Sequence, residues 1–216
     1  LPESFRHSTR DGRPLTWRGD AGVVLGAGAL SSDATLSAPC AWTVTMLDDA
    51  LGFRTRHAAA GFAYDLERRI VLCDRTVTSF TRLTNLGASP LVLQWFAHPF
   101  WALTEGRARI ALPGGATISE NPGFAVTPDG AFTLQRPFVA PTDDQFALLA
   151  LPPGRPLALS LDHPQLARVA FETSFFPSEC PVWANARTIS IEPYLALHLA
   201  PGETREWHVR HGFESL

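Results

Sequence analysis

The stretch TISIEPYLALHLAPGE, residues 188–203, decides the fold class. Its side chains alternate between apolar and polar, and this period of two is typical of a strand with one buried face. The apolar positions are Ile189, Ile191, Leu195, Leu197 and Leu199. The opposite positions carry Ser190, Glu192, Tyr194 and His198. We therefore predict a half-buried strand whose polar face is either an ordinary solvated surface or the floor of a site.

Short apolar runs of the same kind continue along the chain, and its 16 Gly and 18 Pro residues separate them. Such spacing predicts many antiparallel strands joined by turns, as in a β-sandwich or barrel. RTVTSFTRLTN (75–85) and LVLQWFAHPFW (91–101) are predicted to pair as a hairpin. Further strand-turn units are predicted at 108–115, 146–154, 156–162 and 206–213. We expect an all-β protein.

Two segments are less regular. AGFAYDLERRIVL (60–72) fits either a helix or a strand, and we favour a strand. Residues 113–142 contain PGG, NPG and PDG, which predict turns and long loops with one or two short strands. Loops of this kind commonly line ligand sites.

Composition narrows the class of protein. The 216 residues are 45% hydrophobic, which suits either one globular domain covering residues 1–216, the organisation we favour, or two small domains. A net charge of −3 argues against nucleic acid as a partner. No apolar run reaches the ~20 residues of a transmembrane helix, so we expect no membrane partner. The abundance of Ala, Arg, Pro and Leu suggests a bacterial source.

Cysteine and lysine usage restricts the chemistry. Cys40, Cys73 and Cys180 are widely spaced and odd in number, which favours reduced thiols in a cytoplasmic protein over a secreted protein with one disulfide. All 18 basic residues are Arg. A Schiff-base lysine and a P-loop lysine are therefore excluded. Any chemistry must use His, Asp, Glu, Tyr or Arg.

His98 ends an apolar run and is followed by Pro99, which predicts the end of a strand. Trp95, Phe100 and Trp101 surround it in sequence, and aromatic faces can pack against the C–H faces of a sugar ring. The residues alone fit this sugar site less well than an ordinary histidine in an aromatic cluster. The acidic pair Asp143–Asp144 similarly fits either a strand-start turn or a ligand contact.

Three pieces occur in the order found in aldose 1-epimerases, the galactose mutarotases and their relatives. They are TRLTNLGASPLVLQWFAHPFWAL (81–103), DDQFALLAL (143–151) and ISIEPYLALHLAPGETREW (189–207). The chain resembles this family over residues 62–213, whereas residues 1–60 match poorly. The resemblance implies a galactose mutarotase-like supersandwich, a large antiparallel β-sandwich. If the N-terminal match is correct, strands that normally precede it are lacking here.

The resemblance also implies roles for particular residues. Glu192 corresponds to the catalytic base and His98 to the catalytic acid of the family. Asp143 corresponds to its sugar-hydroxyl ligand, with Asp144 as the alternative. An earlier histidine and arginine of the family correspond to His7 and Arg10, while His57 fits less well. We add Tyr194 and Trp101 as substrate-binding candidates.

An enzyme of this family would interconvert the α and β anomers of an aldose or aldose phosphate by acid/base ring opening. It would need no metal and no organic cofactor. Its partner would be a small sugar, and it would be a monomer or homodimer. Arg6, Arg10 and Arg13 could bind a sugar phosphate or form a solvated loop. The alternative is a carbohydrate-binding or regulatory protein on the same fold without turnover; an all-β domain unrelated to sugars is the third reading.

Overall fold

The computed structural model describes residues 13–33, 35–103, 109–140 and 142–216, together with the backbone of residues 3–6. This part of the chain contains strands and turns and no helix, which confirms the all-β prediction. It accordingly contains no helix that is long and apolar enough to cross a membrane.

The strands of the first half are β1 (Glu3–Arg6), β2 (Trp17–Arg18), β3 (Ala21–Val24), β4 (Gly28–Leu30), β5 (Leu36–Pro39), β6 (Thr43–Met46), β7 (Ala50–Ala59), β8 (Phe62–Cys73), β9 (Thr76–Asn85), β10 (Leu91–Ala97) and β11 (Trp101–Ala102). Those of the second half are β12 (Ile110–Ala111), β13 (Thr117–Ile118), β14 (Phe124–Val126), β15 (Ala131–Leu134), β16 (Asp144–Ala150), β17 (Ala158–His163), β18 (Leu166–Thr173), β19 (Pro181–Asn185), β20 (Thr188–Ile191), β21 (Tyr194–Leu199) and β22 (Thr204–Glu214).

These strands form four antiparallel sheets. The largest has ten strands in the order β14-β15-β12-β17-β18-β22-β9-β8-β7-β6. A five-stranded sheet has the order β11-β20-β19-β16-β13, and a three-stranded sheet has the order β1-β10-β21. The remaining sheet consists of β2 to β5.

The core lies between the ten-stranded sheet and the two smaller sheets that face it. Trp95 of the three-stranded sheet packs edge-on against Trp207 of the ten-stranded sheet, with ring centroids 5.4 Å apart. Trp101 of the five-stranded sheet packs similarly against Phe171 at 5.5 Å. All four rings are buried. The molecule is therefore a sandwich in which aromatic pairs join the layers.

The predicted hairpin of 75–85 with 91–101 is wrong. β9 pairs with β8 and β22 in the ten-stranded sheet, whereas β10 pairs with β1 and β21 in the three-stranded sheet. Residues 86–90 therefore carry the chain from one layer to the other. The short, glycine-containing connection has the length of a hairpin turn, but other strands occupy the neighbouring edges.

The long alternating strand predicted within 188–203 is divided in two. β20 ends at Ile191 in the five-stranded sheet, and β21 begins at Tyr194 in the three-stranded sheet. Pro193 has no N–H to donate to a ladder, so the strand is interrupted there. The predicted alternation holds in β21, where Leu197 and Leu199 are buried while Ala196 and His198 are exposed. It is wrong for β20, where Ser190 is buried as fully as Ile189 and Ile191.

The other local predictions agree with the structure in most respects. Residues 60–72 are indeed mostly strand, as β8. The segment 113–142 contains three short strands rather than one or two. Cys40, Cys73 and Cys180 are all free thiols.

Candidate functional site

Two chain segments cross side by side from the three-stranded to the five-stranded sheet, and both cross at a proline. β10 and β21 are neighbours, with Phe96 opposite Tyr194. Beyond the crossing, β11 and β20 are neighbours again, with Trp101 opposite Ile189. Between these pairs lie His98-Pro99 on one segment and Glu192-Pro193 on the other. Because proline removes ladder hydrogen bonds, the two side chains meet where the sheets part.

His98 and Glu192 are in direct contact across this gap. Nε2 of His98 lies 3.4 Å from Oε1 of Glu192. The imidazole is 24% exposed and the carboxylate side chain 11% exposed, so a ligand can reach the pair while most solvent is excluded. The two residues that the sequence selected as acid and base are therefore brought together.

Ser190 is a member of the site that the sequence prediction omitted. Its Oγ lies 3.3 Å from Nδ1 of His98, so it holds the ring nitrogen on the side away from Glu192. Ser190 is fully buried. It shares the strand parity of Glu192, and this alternation is the signal that could have identified it.

Aromatic rings surround the imidazole. The ring centroid of Phe100 lies 4.3 Å from that of His98. The ring centroid of Phe96, a residue of β10, lies 5.5 Å from that of His98. Tyr194 stacks face to face on Phe96 at 4.5 Å. Tyr194 thus supports the site through Phe96, and it is buried. These contacts fix the plane of the imidazole.

Burial is the main influence on the protonation of His98. It lowers the pKa of the imidazole below its ordinary value of 6.5, because desolvation disfavours the charged form. A hydrogen bond with the backbone of His98 acts in the opposite direction and is weaker.

Trp101 does not take part in this cluster. It lies opposite Ile189 on the core face of the sheet and is 5% exposed. Its ring contacts Phe171 of the other layer. The alternation after Pro99 explains the difference, because Phe100 rather than Trp101 falls on the face of His98. Phe100 is 52% exposed and is the aromatic ring available to a ligand.

Asp143 and Asp144 have different hydrogen-bond partners. The oxygens of Asp143 accept hydrogen bonds from Arg136 at 3.0 Å and from the backbone N–H of Val139 at 3.1 Å. The backbone bond and then the Arg136 bond lower the pKa of Asp143. Asp144 instead accepts a hydrogen bond from the indole Nε1 of Trp183 at 3.1 Å. Asp143 therefore fixes its own loop, and Asp144 is the acid connected to the aromatic side chains near His98.

Three sequence candidates remain, namely His7, Arg10 and His57. His7 and Arg10 lie outside the described residues. His57 packs against Tyr64 at 5.9 Å in the ten-stranded sheet. Among the described residues, no group of three or more His, Cys, Asp or Glu side chains could hold a metal ion.

A concavity of about 760 Å³ lies on the ten-stranded sheet, away from His98 and Glu192. Its charged side chains include a ladder across neighbouring strands, in which Glu67 pairs with Arg54 at 3.3 Å and with Arg82 at 3.8 Å. Arg82 also pairs with Glu206 at 3.1 Å. Because these charges neutralise one another, we regard the ladder as a solvated face of the sheet.

Comparison with known proteins identifies the fold. No protein-family model matches the chain, and no curated protein sequence matches it significantly. Several solved structures, however, are similar to it. A galactose mutarotase-like protein from Lactobacillus casei aligns over 90% of this chain and 80% of its own, with a TM-score of 0.60 and 15% identity. A galactose mutarotase related enzyme from Lactobacillus acidophilus aligns over 98% and 87%, with a TM-score of 0.62 and 11% identity.

A third similar structure is a galactose mutarotase-like protein from Clostridium acetobutylicum. It aligns over 81% of this chain and 67% of its own, with a TM-score of 0.55 and 13% identity. At such identities the similarity concerns the arrangement of strands. The chain has the galactose mutarotase-like fold.

Proposed function

We propose that the chain is an aldose 1-epimerase, which interconverts the α and β anomers of an aldose or aldose phosphate, and that residues 1–216 are its one domain. The observation that carries this proposal is the 3.4 Å contact of His98 with Glu192 at a partly exposed gap between two sheets. The galactose mutarotase-like fold supports it.

The reaction requires two proton transfers, one at each of the two oxygens bonded to the anomeric carbon C1. The anomeric hydroxyl O1 loses a proton, and the ring oxygen O5 gains one as the C1–O5 bond breaks. Both oxygens are bonded to C1, so an acid and a base that are neighbours can reach both. The contact between His98 and Glu192 fits this requirement. Positioned acid/base groups each contribute roughly 10²–10⁴-fold to a rate.

Glu192 is the base and His98 the acid in this proposal. Glu192 takes the proton of O1, while His98 donates a proton to O5 from Nε2. The open-chain aldehyde rotates about C1–C2, and O5 then attacks the other face of the carbonyl. On closure His98 takes back the proton of O5 and Glu192 returns its proton to O1. Each turnover therefore restores both groups, and the cycle needs no cofactor.

Polarimetry tests the proposal. Fresh α-glucose, α-galactose and α-glucose 6-phosphate are followed to anomeric equilibrium with and without the protein, at low buffer concentration to limit the uncatalysed rate. We expect acceleration with at least one of these sugars, proportional to protein concentration. If binding of a sugar is measurable by calorimetry but its equilibration is not accelerated, the non-catalytic carbohydrate-binding alternative replaces the enzyme.

A further inference from the structure

Aromatic side chains extend in a row from the acid/base pair across the open face of the five-stranded sheet. Phe100 contacts His98, and the ring of Trp183 lies edge-on to Phe100 with centroids 6.3 Å apart. Trp183 on β19 lies directly opposite Phe146 on β16. Directly opposite residues of antiparallel strands share a face, so Phe146 lies next to Trp183 on the side away from β20. We call Phe100, Trp183 and Phe146 the aromatic row.

The aromatic row belongs to the same face as the site. On its other side Trp183 lies opposite Ser190, the residue bonded to His98. The step from Ser190 through Trp183 to Phe146 crosses two strand spacings, roughly 10 Å. The row therefore begins at the reacting centre and continues beyond the width of one sugar ring.

Its members are open to a ligand, and the central ring is held in place. Phe100 is 52% exposed and Phe146 is 61% exposed. The indole N–H of Trp183 donates to Asp144, which fixes the orientation of the ring. Exposed apolar side chains that lie next to one another mark interaction sites, whereas single scattered ones do not.

We propose that the aromatic row binds a second sugar ring, so that the preferred substrate is the reducing end of an oligosaccharide rather than a free monosaccharide. This inference rests on the proposed function for the first ring, which occupies the His98–Glu192 pair. The C–H face of the next pyranose packs on Trp183 and Phe146. The Asp144 carboxylate beside the indole accepts hydrogen bonds from its hydroxyl groups.

The shape and chemistry of the face favour a saccharide over a protein partner. A pyranose has an apolar face and a polar rim, and the row offers rings of matching width with a carboxylate at the margin. The row also joins the acid/base pair without interruption, and a saccharide places its reducing end at one site and its next ring at the other.

Calorimetry on three proteins tests the inference: the native chain, Phe146→Ala and Phe80→Ala. Phe80 is the matched control, because it is a strand phenylalanine of similar exposure, 42%, that lies in the ten-stranded sheet. The probes are glucose with maltose and cellobiose, and galactose with lactose. We expect at least one disaccharide to bind about tenfold more tightly than its monosaccharide to the native protein.

Phe146→Ala should remove that preference and leave monosaccharide affinity unchanged, which also shows that the variant is folded. Phe80→Ala should retain the preference, and Phe146→Tyr should restore it. Equal binding of mono- and disaccharides by the native protein would overturn the inference, as would a preference that survives Phe146→Ala.

Polarimetry run in parallel separates this inference from the proposed function. If no sugar equilibrates faster but disaccharide binding still depends on Phe146, the enzyme proposal fails and the second-ring site stands. If monosaccharides equilibrate faster and disaccharides gain nothing, the enzyme proposal stands and the second-ring site fails.

Discussion

Two chain segments, β9–β10–β11 and β20–β21–β22, run side by side through three sheets, and their two crossings between sheets are built differently. The first crossing joins β9 and β22 of the ten-stranded sheet to β10 and β21 of the three-stranded sheet. The second joins β10 and β21 to β11 and β20 of the five-stranded sheet. The first crossing is organised by Asn85, and the second contains His98 and Glu192.

At the first crossing, both polar atoms of the Asn85 side chain are hydrogen-bonded within the protein. It is fully buried, and its Nδ2 donates to the carbonyl groups of Ser89 at 2.8 Å and Leu199 at 3.0 Å. Its Oδ1 accepts from the N–H of Gly87 at 2.9 Å. Asn85 thus bonds to a residue that is 114 positions away in the chain. Such a buried, satisfied group stabilises the fold and offers nothing to a ligand.

The second crossing keeps polar groups partly accessible. Two prolines remove the N–H groups that would close the ladder, and an acid and a base occupy the gap. The comparison indicates that a change of sheet can be sealed by an amide or left open for chemistry. Substitutions at the two crossings should therefore have different effects, and the loss of the Glu192 carboxylate should have the largest effect on activity.

Glu192→Gln should lower the mutarotation rate by about 10³-fold, because an amide cannot accept the proton of O1. The thermal midpoint should change little, since the substitution preserves shape. Glu172→Gln is the control, because Glu172 forms an exposed ion pair with Arg210. Polarimetry with each purified variant measures the effect, and a Glu192→Gln protein of native activity would refute the assignment of the base.

His98→Asn should lower kcat by about 10²-fold while sugar binding persists, because the acid that protonates O5 is lost. His208→Asn is the control: His208 also packs on a phenylalanine, Phe80, with centroids 5.2 Å apart, but in the ten-stranded sheet. Kinetics and calorimetry separate kcat from affinity. If the His98 variant turns over like the control, the imidazole has only a packing role.

Asn85→Ala should lower the free energy of unfolding by about 2–4 kcal/mol, because the buried carbonyl of Leu199 and the part-buried carbonyl of Ser89 lose their donor. Activity per folded molecule should remain native. Asn121→Ala is the control, since Asn121 makes similar turn bonds to Ser119 and Phe124 but joins only residues near in sequence. Urea unfolding measures the stability of both variants. A loss of activity without a loss of stability would contradict the division between the two crossings.

The dependence of kcat/KM on pH should report the protonation of His98. The acid must be protonated in the free enzyme, so kcat/KM should fall as the pH rises through the pKa of His98. Because burial lowers that pKa, this fall should lie below pH 6.5. It should be absent from the residual activity of His98→Asn. A profile that first falls well above pH 6.5 would assign the acid to another group.

The sequence predicts the strands better than their partners. Alternation within 188–203 predicted strand structure where β20 and β21 lie, although as a single strand, because side-chain parity is a local property. The assignment of those strands to separate sheets depends on Pro193 and on edges formed by distant segments. The false hairpin of 75–85 with 91–101 arose in the same way, since nothing local shows that Asn85 bonds to Leu199.

The site was partly visible for a similar reason. Glu192 and His98 followed from their motifs, whereas Ser190 was omitted although it shares the parity of Glu192. Trp101 was misplaced because parity had to be counted across Pro99. Trp183 gives no local signal, since only the pairing of β19 with β16 and β20 brings it to the open face.

A double-variant cycle on the second crossing tests the central claim most directly. If Glu192 and His98 act on the same C1 centre in one step, removing both should cost little more than removing Glu192 alone. We therefore predict that the rate of Glu192→Gln/His98→Asn measured by polarimetry lies within about threefold of the rate of Glu192→Gln. Losses that multiply to the full product of the two single effects would contradict a coupled acid/base pair.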